Sequence, residues 1–67
     1  MSGEMRGKVK FFNEGKGFGF ITGEDGNDYF VHVTGIAQGT TVTEGDEVTF
    51  VVVNGERGKR AEKVTAV

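Results

Sequence analysis

The 67-residue chain has no cysteine, no proline and no tryptophan, and only one histidine. Without cysteine there is no disulfide, and one histidine is too few ligands for a structural zinc. The two staples that hold many small domains together are therefore excluded. A chain of this length buries only roughly 60% of the surface that its unfolded form exposes, so its core has to be small and well packed. No run approaches the roughly 18 to 20 apolar residues of a membrane span. Met1-Ser2-Gly3-Glu4 lacks the charged and apolar regions of a secretory signal, so the expected home is the cytoplasm. Chemistry is equally short of parts: the only serine is Ser2, and His32 alone would have to serve any acid-base role. None of Gly7-Lys8, Gly15-Lys16 or Gly58-Lys59 completes a phosphate loop of the form G-x-x-x-x-G-K-[ST]. The chain is not expected to be an enzyme.

What is abundant is glycine, with 12 residues, and phenylalanine, with 6. Apolar residues alternate rather than recur every 3.6 positions, and they are mostly Val, Phe and Ile, which suit a pleated surface. Strands are expected over residues 6–13, 17–22, 28–33, 47–53 and 59–65. The cluster Gly23-Glu24-Asp25-Gly26-Asn27-Asp28 reads as a hairpin turn, and Asn54-Gly55-Glu56-Arg57-Gly58 as another. Residues 34–45, rich in Gly and Thr, read as a long connection with one helical turn near Thr34. The single domain over 1–67, flexible over 1–5, is expected to be all-β, a five-stranded antiparallel barrel, since closure protects strand edges.

Alternation then exposes a conflict. On one face of the second and third strands lie Phe18, Phe20, Phe30 and His32; on the other lie Ile21, Tyr29, Val31 and Val33. Both faces are apolar, yet a small barrel has one interior. Ile21, Val31 and Val33, with Val9, Val48, Phe50 and Val64, have the character of a packed core. Buried phenylalanine is the ordinary case, but Gly19 offers no side chain to pack on its own face, and Lys16 and His32 fall on the phenylalanine side. The phenylalanines are therefore expected outside, where an apolar cluster marks a binding surface.

Charge is arranged in blocks. Residues 1–16 carry +2, from Arg6, Lys8, Lys10 and Lys16 against Glu4 and Glu14. Residues 17–56 carry −7 with no Lys or Arg, and residues 57–67 carry +3, so the net −2 conceals two basic ends. The acidic turns are expected to sit away from the phenylalanine face. Aromatic rings interleaved with cations suit single-stranded nucleic acid: each base has a π-face, stacking contributes roughly 1 to 3 kcal/mol per base, and Lys and Arg neutralise phosphates. A rival reading is an aromatic groove for a peptide, which would not require the cations.

Gly7-Lys8-Val9-Lys10-Phe11-Phe12-Asn13 with Lys16-Gly17-Phe18-Gly19-Phe20-Ile21 resembles ribonucleoprotein motif 1, and Tyr29-Phe30-Val31-His32-Val33 is similar to motif 2. From Gly7 to about Val64 the chain resembles the bacterial cold-shock proteins. That resemblance implies an OB-fold barrel that binds single-stranded RNA and DNA on its outer aromatic face and acts as an RNA chaperone, with roles in the cold-shock response and in transcription or translation. It implies Phe11, Phe18, Phe20, Phe30 and His32 as stacking residues, Lys10, Asn13, Lys16, Asp28 and Arg57 as polar contacts, and Phe12 as a partly buried neighbour. A monomer is expected, with no cofactor, no metal, no small-molecule substrate and no membrane partner. The chain departs from the pattern in four places. Phe11 stands where the family usually has Trp, Val33 where it has Phe, and Lys59 where it has Pro, and the connection after Ile36 is short and lacks a Phe. Weaker and more salt-dependent binding is the expected result.

Overall fold

The computed structural model describes residues 3–55 and 58–67. Five strands, β1 (Glu4–Asn13), β2 (Phe18–Gly23), β3 (Asp28–His32), β4 (Glu47–Gly55) and β5 (Gly58–Ala66), close into a barrel in the order β1-β2-β3-β5-β4. A single 3-10 turn, Val33–Gly35, follows β3. The first strand starts earlier than expected: Glu4 and Met5, assigned above to a flexible start, pair with Val51 and Phe50, and Met5 packs on the core. Among the described residues no helix is long and apolar enough to cross a membrane.

Four of the neighbouring pairs are antiparallel, as expected, and one is not. Strands β3 and β5 run parallel through Phe30↔Arg60 and Val31↔Ala61, and the bridge Ile36↔Val64 continues the seam. The correction is one of parity. Direction cannot alternate all the way round a closed ring with an odd number of strands, so at least one pair must be parallel. The connection after the 3-10 turn makes this possible by carrying the chain across to β1, so that β4 pairs with β1 and β5 returns beside β3.

The core comprises Val9, Ile21, Tyr29, Val31, Val42, Val48, Phe50, Ala61 and Val64, with Phe12, Ile36 and Val52 packed against it. Six of the seven residues assigned to it from sequence are there, and Val33 is not. Strand β3 ends at His32, whose ring accepts a hydrogen bond from the Thr34 backbone N–H and caps the 3-10 turn. The alternation therefore stops one residue early, leaving Val33 49% exposed. Val42 enters the core from the long connection, which is tied down where Gly45 donates to the Val9 carbonyl and Val9 to that of Asp46. Two bulges bend the wall. One lies between Val9 and Phe11 in β1; the other interrupts the β4–β5 register between Thr49 and Val51, opposite Lys63, the one non-glycine described residue with positive φ, at 54°.

Candidate functional site

The outer surface of β1, β2 and β3 is a grid set by strand register. Lys8, Thr22 and Asp28 form one row, Phe11, Phe20 and Phe30 the next, and Asn13, Phe18 and His32 the third. The phenylalanine row continues into β5, where Arg60 stands opposite Phe30.

Phe11 joins this face because of the first bulge. Lys10 is the extra residue on β1, so Lys10 and the 39% exposed Phe11 both face outward and Phe12 turns towards the core. The opposing glycine is required by the same geometry: a Cβ on Gly19 would strike the Phe11 carbonyl oxygen and the Phe12 Cα. Four rings then form a closed circuit. Phe11 lies 6.4 Å from Phe18 and 5.6 Å from Phe20, while Phe30 lies 6.0 Å from Phe18 and 5.8 Å from Phe20. Edge-to-face and tilted contacts predominate, the arrangement that ring quadrupoles favour. The Phe18–Phe30 pair is the stacked one, at 25°. None of the four rings is buried.

Polar groups border the rings. Asn13 accepts the Lys16 backbone N–H on its side-chain oxygen at 3.0 Å, and the Gly17 N–H bonds to its backbone carbonyl, so Asn13 shapes the turn that presents the exposed Lys16. Exposed His32 holds its Nδ1 against Thr34. Lys10 Nζ meets Asp28 Oδ2 at 2.9 Å, and the Thr22 hydroxyl donates to the other oxygen at 2.8 Å. The hydrogen bond from Lys10, then that from Thr22, hold the Asp28 carboxyl below the ordinary carboxylate range. Nine of the ten expected site residues thus share one face or its border; Arg57 lies outside the described residues.

The family model described as "'Cold-shock' DNA-binding domain" matches residues 5–67. The chain belongs to the cold-shock domain family. It is 54% identical to the major cold shock protein CspA of Pseudomonas aeruginosa over the whole of both chains. It is 55% identical to cold shock protein CspB of Bacillus caldolyticus over 90% of this chain and 94% of that protein. The solved structure "drosophila Unr CSD456" superposes with a TM-score of 0.80 at 25% identity, covering 98% of this chain and 27% of that one. The barrel is accordingly an OB-fold-like one.

Two features of this cold-shock domain escape a linear reading. Acidic residues do not all keep away from the rings: Glu14 and Glu44 line a depression of 440 Å³ together with Phe11, Phe12 and Asn13, because the long connection folds back beside β1. The other is a groove of 740 Å³ formed by Phe20 and Phe30 with Asn54, Gly55, Gly58, Lys59 and Arg60. Of these β4 and β5 residues the sequence reads Asn54, Gly55 and Gly58 only as a turn, and Lys59 as a cation in place of Pro. Arg60 reaches the face through the parallel seam, which an all-antiparallel reading does not provide.

Proposed function

We propose that this cold-shock domain binds single-stranded RNA and DNA by stacking bases on Phe11, Phe18, Phe20, Phe30 and His32, with Lys10, Asn13, Lys16, Asp28 and Arg57 as polar contacts. The observation that carries this reading is the ring circuit on the outside of the barrel. Four phenylalanines are held by strand register where they contribute least to the core, and they have partly open faces and cations at the border. Stacking needs a π-face and tolerates any base.

Such binding is passive. Bases are captured only while unpaired, so the protein lowers the free energy of open RNA and lets misfolded hairpins rearrange without nucleotide hydrolysis. This is the action of an RNA chaperone; the names of its relatives point to the cold-shock response, and transcription or translation are the processes it is expected to affect. The protein acts as a monomer, with no cofactor and no small-molecule substrate.

Titration with a short unstructured oligonucleotide, followed by NMR of the Phe and His rings, tests the reading. Shifts are expected at Phe11, Phe18, Phe20, Phe30 and His32, with affinity falling by a log-log salt slope of roughly −0.7 for each phosphate contacted. No response at millimolar ligand, or a response only to peptides, would overturn it.

A further inference from the structure

The groove between Phe20, Phe30 and β5 carries a planar, multiply donating group. Arg60 sits in register with Phe30, and its Nε forms an ion pair with Glu62 Oε2 at 2.8 Å. That contact is made at Nε, and the two terminal nitrogens form a fork. Lys59 and Asn54, paired across β4 and β5, add further donors. Gly55 and Gly58 also line the groove and bring no side chain of their own to it.

Donors around an apolar slot select a ligand with adjacent acceptors and a broad π-face. Guanine fits best: its O6 and N7 accept side by side, whereas adenine presents N7 beside a donor and thymine or uracil a lone O4 there. Cytosine also has adjacent acceptors, N3 and O2, but its single ring covers one phenylalanine. A purine's two rings span more of the Phe20–Phe30 pair, whose centroids are 5.8 Å apart. We propose that this groove is a base-selective subsite for guanine, read by Arg60, with Glu62 as the positioning residue that holds the Arg60 fork. The proposal rests on the strand-binding reading above. It adds a preference at one position to binding that is otherwise tolerant of sequence.

Fluorescence anisotropy with labelled heptathymidylate, and with the same strand carrying one dG moved through each position, tests it. One placement should bind at least about fivefold tighter than the all-T strand. The gain should disappear with 7-deaza-dG, which lacks the N7 acceptor, and should not appear with a single dC. Arg60→Gln should abolish the gain, so that the dG strand and heptathymidylate bind with equal affinity, while affinity for both falls by the few-fold expected for loss of one cation beside the phosphates. Glu62→Ala should move two readings in opposite directions, reducing the preference for dG while raising affinity for the all-T strand, because a carboxylate is removed from beside the phosphates. Mere loss of fold would lower both. The proposal is overturned if heptathymidylate binds but no single dG improves it, if dC gives the same gain, or if Arg60→Gln keeps the preference. If heptathymidylate itself does not bind, the strand-binding reading fails first and takes the subsite with it.

Discussion

The barrel has two aromatic clusters with similar spacing and opposite placement. Inside, the Tyr29 and Phe50 rings lie 5.5 Å apart and both residues are buried, Phe50 completely. Outside, four phenylalanines keep centroids 5.6 to 6.4 Å apart and remain open to solvent. Ring type and ring contact do not distinguish the two; strand parity does. Whether a phenylalanine holds the barrel together or stays free for a ligand depends on which side of the pleat its Cα falls.

Replacing the central ring of the inner cluster should have the largest effect. Phe50→Ala removes a fully buried side chain from a core with no disulfide to support it, at a cost of about 3 to 5 kcal/mol. Urea denaturation should show the variant largely unfolded before denaturant is added. If Phe50→Ala and Phe20→Ala had equal midpoints, the two clusters would not have distinct roles.

Gly19→Ala attacks the seam between the clusters. The added Cβ meets backbone on β1, which cannot swing aside as a flexible side chain would. A loss of about 1 to 3 kcal/mol is expected from overpacking, accompanied by weaker oligonucleotide binding as Phe11 is displaced. A variant that loses stability but keeps full affinity would show that the bulge does not set Phe11 for binding. Phe20→Ala and Phe30→Ala probe the outer cluster alone. Each should weaken binding by about 1 to 3 kcal/mol, or roughly five- to 150-fold, with little change in the thermal midpoint. A collapse of the midpoint would place these rings in the core.

How much of this was legible in the sequence follows from where alternation holds. It holds through the β2–β3 hairpin, whose register runs without a shift from Phe18↔His32 to Thr22↔Asp28, so the opposite faces of Phe20 and Ile21 could be read directly. It breaks at Lys10. Counted strictly from Val9, Phe11 would point inward and Phe12 outward, the reverse of what the bulge produces; only the motif resemblance put Phe11 on the site. It breaks again after His32, where a cap made by a side chain ends the strand and takes Val33 out of the core. The parallel seam was open to a counting argument, since five strands in a ring cannot all alternate. Its consequence, Arg60 beside Phe30, needed the actual register.

The smallest expected effect is at the polar tip of the inner cluster. The Tyr29 hydroxyl donates to Asp25 Oδ2 at 2.5 Å, and the Asn27 backbone N–H bonds to the same carboxylate. These hydrogen bonds, Tyr29 first, lower the Asp25 pKa below its ordinary 3.8; the bond to Asp25, then burial, raise that of Tyr29 above its ordinary 10.0. The two shifts act at opposite ends of the pH scale. Asp25 adds stability that is complete above its unfolded pKa and is lost as pH falls through its lowered folded value. Tyr29 adds stability that is complete below its unfolded pKa and is lost as pH rises through its raised folded value. Because Tyr29 is the only tyrosine, tyrosinate absorbance reports on this group alone. Its alkaline titration should be centred above the ordinary value in the native protein and move down towards it in Asp25→Asn. Oligonucleotide affinity at neutral pH should not change, since the pair lies at the hairpin turn and not in the ring circuit. An Asp25→Asn variant that titrated like the parent would remove the hydrogen bond as the cause; one that lost affinity would show that the inner cluster's anchor also sets the outer face.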